Sequence, residues 1–357
     1  DPNTVEDIYL GCAQPGGEQG YNIARVAGLL AGLKDVPGAT LNRYCSSSLQ
    51  TIRMAAHAII AGEGDVFIAG GVETVSRFAK GKSDGFPDTM NPKFAEAAAR
   101  TKRIASGEEA YAPGDGLRDV YIQMGQTAEN VAKFLGVTRQ EQDELAALSQ
   151  QRASAAVASG HFAKEITPVT LANGTIVDKD DCPRDGTTAE KLAALKPAFT
   201  DDGVIHAGNS SQISDGAAAI LVTTPEHAAA QGWTPIARYV AGAVAGANPV
   251  LMLTGPIPAT AKVLGKTGLG IGDIGVFEVN EAFAPVPLAW AADTGADEDR
   301  LNPLGGAIAL GHPLGGSGAV LMTRMLHHMR DNDIRYGLQT MCEGGGTANA
   351  TIVELIN

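Results

Sequence analysis

Two hydrophobic periods take turns along this chain, and their order repeats. Residues 5–10, Val-Glu-Asp-Ile-Tyr-Leu, predict a short strand, and 39–42 predict another about a helix later. A turn at 43–48 follows, then an Ala-rich helical pattern over 49–61 and a strand over 65–71 that ends in Gly70 and Gly71. The second half runs in the same order. Residues 271–278 predict a strand, 280–292 a helix, the Gly-rich 311–318 a turn, 319–329 a helix, and 337–342 a strand ahead of Gly344, Gly345 and Gly346. Ile8 and Cys45 lie 37 positions apart, and Ile274 and His312 lie 38 apart. Matched order and spacing predict two similar α/β halves with parallel strands. In that arrangement the turns carrying Cys45 and His312 are equivalent and face each other across a pseudo-two-fold axis.

Residues 78–200 break the pattern. They carry Pro87, Pro92 and Pro113, several Lys and Arg residues, and helical stretches at 126–135 and 139–158. A segment of this length inside a compact fold reads as an insertion over the site. The division is then an N-terminal half over 1–77, a loop or lid domain over 78–200, the end of the first half over 201–232, and a C-terminal half over 233–357.

Composition narrows the class. A chain of 357 residues with 44% hydrophobic and 19% charged residues can bury a large core without disulfides or structural metals. The net charge of −13 and pI near 5.0 speak against a general binder of nucleic acid or anionic membrane, since both require a basic face. Cys12, Cys45, Cys182 and Cys342 lie far apart, with no spacing suited to zinc or to a disulfide framework. With no signal-peptide pattern and no apolar run of spanning length, the expected location is cytoplasmic.

Four places carry candidate chemistry. Cys45 sits where a strand gives way to a helix, where the helix N-terminus would favour a thiolate; the alternative is a small buried hydrophobe. His312, in Gly-His-Pro-Leu-Gly-Gly-Ser-Gly, has a glycine surround that permits close approach of ligand or backbone. That loop has neither the Walker A nor the dinucleotide form, and a solvated turn histidine is the alternative. Cys342 precedes Glu343-Gly344-Gly345-Gly346, whose amides would suit an oxyanion, unless the cysteine is plain core before an ordinary turn. Asn280 either caps a helix or holds a catalytic water.

Taken together, Asn42-Arg43-Tyr44-Cys45-Ser46-Ser47, Asn280-Glu281-Ala282-Phe283, Gly311-His312-Pro313 and Cys342-Glu343-Gly344-Gly345-Gly346 resemble the thiolase family of acyl-CoA:acetyl-CoA C-acyltransferases. The stretch from Ala207 to Gly216, Ala-Gly-Asn-Ser-Ser-Gln-Ile-Ser-Asp-Gly, is similar to a further signature of that family. The resemblance covers essentially the whole chain. It implies a five-layered αβαβα fold of two similar halves plus an inserted loop domain. It also implies Cys45 as acyl-accepting nucleophile, His312 as its base, Cys342 as the second acid–base thiol, Asn280 as holder of a water, and the Gly344 N–H as an oxyanion donor. Coenzyme A enters as substrate, with no tightly bound cofactor and no metal. Arg184 is placed near the nucleotide end, Ser211 and Ala207 by the pantetheine arm, and Met124, Phe199, Ala282 and Phe283 along the tunnel. Partners are CoA, 3-ketoacyl-CoA and further copies of the chain, as a homodimer or homotetramer.

Three departures shape the expectation. The family's usual first strand and helix are not found ahead of Asp1; placed at the centre of the first sheet, their lack would leave a gap. Gln123 stands where short-chain biosynthetic members resemble one another in carrying histidine, which favours a degradative 3-ketoacyl-CoA thiolase. Glu343 replaces a small or aliphatic residue, and the wording around both cysteines resembles actinobacterial members, some acting on steroid side chains. Lys191 replaces a serine near the nucleotide. The rival readings are a biosynthetic acetoacetyl-CoA thiolase, a decarboxylating ketosynthase, which would lack Cys342, and an inactive acyl-CoA or sterol carrier.

Overall fold

The computed structural model describes residues 2–80, 90–110 and 116–356, so Pro87 and Pro113 lie outside the described residues. The first half opens with β1 (Asp7–Gly11), α1 (Ile23–Leu30), β2 (Gly38–Leu41), α2 (Ser47–Ala61) and β3 (Val66–Thr74). Between them and β6 (Asp215–Thr223) come α3 (Ala95–Ser106), α4 (Met124–Leu135), α5 (Arg139–Ala158), the small hairpin β4 (Val169–Thr170) and β5 (Ile176–Val177), and α6 (Ala189–Ala193). α7 (Pro225–Gln231) then leads to β7 (Ala237–Gly246), α8 (Pro256–Thr267), β8 (Val276–Val279), α9 (Pro285–Thr294) and α10 (Ala307–Leu310). The chain closes with α11 (Ser317–Asp331), β9 (Tyr336–Glu343) and β10 (Thr347–Leu355).

Besides the β4–β5 hairpin, the described residues form two four-stranded sheets, ordered β2-β1-β3-β6 and β7-β10-β9-β8. In the first, β1 runs parallel to β2 and β3, and β6 returns antiparallel on β3. In the second, β8 is parallel to β9 and β10 is antiparallel to both its neighbours. One core unites the sheets: Leu49, Ile52 and Ala55 of α2 and Met322, Met325 and Met329 of α11 pack with Phe67 and Ala69 on one side and with Val276, Met341 and Val353 on the other. These two helices are therefore the middle layer. Ile8 and Leu10 pack outward with Ala24 of α1, while Phe277 meets Trp290 of α9 and the α8 residue Val263 on the far side. The five layers follow from strand alternation, because each sheet buries apolar side chains on both faces.

The duplication is tighter than spacing alone indicates, and its register differs from the expected one. α2 and α11 begin at Ser47 and Ser317, and β3 and β9 begin at Val66 and Tyr336, a constant displacement of 270 residues. That register sets Cys45 against Gly315, and His312 against Asn42. The two catalytic candidates occupy the same kind of turn but sit three residues apart within it.

Three further expectations are corrected. The strand predicted over 271–278 begins only at Val276, because Ile271–Asp273 makes a 3-10 turn whose Asp273 carboxylate accepts the Gly270 N–H at 2.8 Å. The helix predicted from Asn280 begins at Pro285, so Asn280 is not its cap. Finally, no central gap divides the first sheet among the described residues: β1 is hydrogen-bonded on both sides, and the edge strands are β2 and β6, the latter with Asp215, Ala217, Ala219 and Leu221 exposed in alternation.

Candidate active site

Cys45 lies in a one-turn 3-10 segment, Tyr44–Ser46, between β2 and α2. Tyr44 has a φ of +46°, a left-handed backbone that a bulky residue adopts only when held there. The holding groups are local: the Asn42 side-chain oxygen accepts the Tyr44 N–H at 2.8 Å, and the Ser47 hydroxyl donates to the Tyr44 carbonyl at 2.6 Å. Asn42 in turn donates to the Ala13 carbonyl at 3.0 Å, tying the turn to the end of β1.

The Gly-rich turn before α11 packs directly on this one. Gly315 accepts from the Ser48 N–H at 3.1 Å, and a Cβ at Gly315 would stand 2.6 Å from the Cys12 Cα. The expected use of glycine for close backbone approach is thus realised there. The third segment arrives from the second sheet. Cys342 ends β9, fully buried, and the hairpin after it reverses through Gly345 and Gly346 at φ +74° and +79°. A Cβ on Gly344 would press on the Tyr44 ring at 3.0 Å, so the glycine turn lies against the Cys45 turn.

Electrostatics decide the resting state. Burial pushes the Cys45 thiol up to about 12, the nearby Glu343 carboxylate pushes the same way, and the cysteine's own N–H only partly opposes them. Rising from 9 to about 12 corresponds to roughly 4 kcal/mol, against ~0.3–1 kcal/mol for an N-terminal helix dipole. The expected thiolate preference is therefore overturned, and Cys45 rests as a thiol. Cys342 is likewise pushed well above the ordinary thiol range, by burial first and then by the charge of Cys45. The two sulfurs are near enough for the charge of one to be felt at the other.

His312 is the complementary group. It is buried, and desolvation alone lowers it to about 4, so the imidazole is neutral. Nδ1 lies 2.6 Å from the Ser317 hydroxyl, whose single proton goes to the Pro313 carbonyl at 3.0 Å. Nδ1 therefore carries the ring proton and donates to Ser317, which leaves the Nε2 lone pair as the acceptor and base. The Asn280 amide nitrogen stands 3.5 Å from that Nε2, and the buried Asn280 side-chain oxygen has no partner among the described residues. Asn280 is held from both sides: its N–H donates to Thr340 at 3.1 Å, and the next residue, Glu281, is locked by Ser149 at 2.7 Å and Asn302 at 2.9 Å.

A second wall assembles the other candidates. The Ser211 N–H donates to the Ala282 carbonyl at 3.0 Å. Phe199 meets Phe283 edge to face at 6.1 Å and lies over Gly125, beside Met124 at the start of α4. Ala207 is exposed nearby in the same loop, and Gln123 precedes α4 in extended backbone. Arg184 is exposed and reaches the Gln212 side chain at 3.2 Å, next to Ser211, while Lys191 donates to the Gly186 carbonyl at 2.5 Å. Ser317, which selects the histidine tautomer, was not singled out from sequence; its position five residues after His312 at a helix start was the available signal.

Two families span the chain: Thiolase, N-terminal domain, over residues 1–226, and Thiolase, C-terminal domain, over 233–355. The β-ketoadipyl-CoA thiolase of Escherichia coli is 44% identical over 374 residues, covering 100% of this chain and 89% of that protein. The steroid 3-ketoacyl-CoA thiolase FadA6 of Mycobacterium tuberculosis is 42% identical over 361 residues, covering 99% and 84%. Among solved structures, the dimeric peroxisomal thiolase of Saccharomyces cerevisiae superposes with a TM-score of 0.89 at 35% identity, covering 100% of this chain and 86% of that one. Two buried thiols, a neutral imidazole and a five-layered duplicated fold thus meet a match over the full length, and the chain belongs to the thiolase family.

Proposed function

We infer that the chain cleaves 3-ketoacyl-CoA with CoA, giving acetyl-CoA and a shortened acyl-CoA by way of a thioester on Cys45. The observation that carries this reading is the pair of buried, protonated thiols together with a neutral imidazole, proton on Nδ1 and lone pair on Nε2, borne by the turn that packs on the Cys45 turn. A resting thiol needs a base at the moment of attack, and the Nδ1–H tautomer of His312, with its lone pair on Nε2, supports giving it that task.

In the forward sequence, Cys45 attacks the 3-keto carbon as His312 Nε2 takes its proton. The C2–C3 bond breaks and its electron pair leaves as the enolate of acetyl-CoA, which Cys342 protonates at C2. The thioester oxygen of that leaving group is held by the imidazolium and by a water on Asn280. The acyl group stays on Cys45, its tetrahedral oxygen facing the N–H groups of Cys45 and Gly344, each donor contributing about 3 kcal/mol. The Cys342 thiolate then takes the proton of a CoA thiol, whose sulfur attacks the thioester carbon; the C–S bond to Cys45 breaks, and the departing sulfur recovers its proton from the His312 imidazolium. CoA lies along Met124, Phe199, Ala282 and Phe283, with Ser211 and Ala207 on the pantetheine and Arg184 toward the nucleotide. Two copies of the chain form the working unit.

Ser317→Ala should lower kcat about tenfold or more with KM nearly unchanged, because Nδ1–H loses its acceptor and the basic nitrogen is no longer selected. Rate measurements under saturating CoA test this; an unchanged kcat would remove Ser317 from the proton path.

For substrate class, Gln123 beside the Met124 and Phe199 wall supports a degradative enzyme that accepts acyl groups larger than acetyl. Thiolysis of acetoacetyl-CoA, a long-chain 3-ketoacyl-CoA and a steroid side-chain 3-ketoacyl-CoA, followed by loss of the 3-keto thioester absorbance, is the test. Turnover favouring the larger substrates is expected. Best turnover of acetoacetyl-CoA would instead favour the biosynthetic reading, and turnover of none would leave the carrier.

A further inference from the structure

The displacement of 270 residues that relates the two halves also relates two carboxylates, Glu73 at the end of β3 and Glu343 at the end of β9. Both are fully buried. Each reaches across to the opposite half. Glu73 accepts the Gly315 N–H at 2.8 Å, three residues beyond His312, together with the Ala13 N–H at 2.8 Å, the Gln14 N–H at 3.2 Å and the Gln19 side chain at 3.0 Å. Glu343 accepts from the Ser46 hydroxyl, next to Cys45, and from the Thr347 hydroxyl, and pairs with Arg43 at 3.7 Å.

We propose that Glu73 and Glu343 are reciprocal positioning residues, Glu73 fixing the His312 turn on the first sheet and Glu343 fixing the Cys45 turn on the strand that carries Cys342. This rests on the thiolase reading of the site. Neither carboxylate touches the reacting atoms; each acts through the turn it holds.

The reasoning is one of geometry and dielectric. A turn that crosses from one sheet to the other half has no strand ladder to hold it, and a buried carboxylate accepting several donors at once is a rigid substitute. A carboxylate in such a place is retained only if its oxygens are satisfied, which they are on both sides of Glu343. Its charge faces Arg43 on one side and Cys45 on the other; burial first, then this charge and, more weakly, that of Glu73 hold the Cys45 thiol protonated until His312 receives the proton. Registry of Cys45 against Cys342 is thereby joined to protection of the nucleophile.

Two variants separate the parts. Glu343→Gln keeps the shape but removes the charge, and Ser46→Ala removes the hydrogen bond but keeps the charge. Both should lower kcat at least about tenfold with KM for CoA within threefold. Iodoacetamide labelling of Cys45, read by peptide mass across pH 7–10, should run several-fold faster at pH 8 in Glu343→Gln and not in Ser46→Ala, about tenfold for each pH unit by which ionisation moves down. Glu73→Gln should lower kcat with a smaller change in labelling.

If both Glu343→Gln and Ser46→Ala turn over within twofold of the parent, the proposal is overturned. If Glu343→Gln does not fold, Ser46→Ala decides by the same criterion. Labelling needs no turnover. An inactive parent chain would thus count against the thiolase reading, while equal labelling rates in the parent and Glu343→Gln would count against the positioning role.

Discussion

Cys45→Ala is expected to lower CoA-dependent thiolysis at least about 10³-fold while the thermal midpoint moves by only a few degrees. The size of the kinetic effect follows from covalency: with no sulfur at this turn, the acyl group has nowhere to rest between the two CoA molecules. The small effect on stability follows from the site itself. Cys45 is buried, but the turn around it is held by Asn42, Ser46 and Ser47, none of which bonds through the Cys45 side chain. Alanine removes one atom and an expensively desolvated thiol. The check pairs the absorbance assay with mass spectrometry of enzyme mixed with 3-ketoacyl-CoA in the absence of free CoA. An acyl adduct on the parent that disappears in Cys45→Ala is the expected result. Residual turnover above one part in a hundred, or an adduct on Cys342, would move the nucleophile elsewhere.

His312→Gln is expected to cost on the order of 10²–10⁴ in kcat/KM, the usual contribution of a positioned base. The reason is the state of its partner. With the Cys45 thiol near 12, only about one site in 10⁴ is a thiolate at pH 8, so attack depends on proton removal during the step. The variant's residual rate should climb with pH toward 10, as solvent base takes over. The parent should behave differently: His312 is lowered to about 4, so the free base is present throughout the neutral range and kcat/KM holds from pH 8 down to about 5. A loss of parent activity centred near 6.5 would show an exposed histidine, contrary to the buried one seen. Stability carries the same signature. The folded protein binds this proton more weakly than the unfolded chain, whose histidine titrates near 6.5. The histidine's contribution is therefore complete above about 6.5 and is lost as pH falls toward 4. Thermal melts across that window should fall less steeply in His312→Gln.

Much of the architecture was readable because it is local. Runs of β-branched and apolar residues mark the buried strands, glycine marks the turns, and the repeated order marks the duplication. The readings that failed each turned on a hydrogen bond or a strand order that no hydrophobic period encodes. The strand thought to begin at residue 271 begins at Val276, since the Asp273 carboxylate turns the chain before it reaches the sheet. Asn280 looks like a helix cap by type and position, yet its N–H is spent on Thr340 of β9 and its helix starts five residues later. The family's first strand is expected at the centre of the first sheet, but strand order, which no sequence period encodes, places β1 directly between β2 and β3.

The same division runs through the site. Sequence by itself determined the family and pointed to the candidate reacting groups, because a thiol, an imidazole and a glycine turn are properties of residue type and short spacing. Only the tertiary structure decided their chemical state. The helix start before which Cys45 lies predicts a thiolate, but burial and Glu343, brought from 298 residues away, make it a thiol. Which nitrogen of His312 holds the proton is settled by Ser317 and the Pro313 carbonyl. Dielectric and hydrogen-bond partnership belong to the space around an atom, and folding decides which groups fill it, whether from far along the chain, as Glu343 at Cys45, or from close by, as Ser317 at His312.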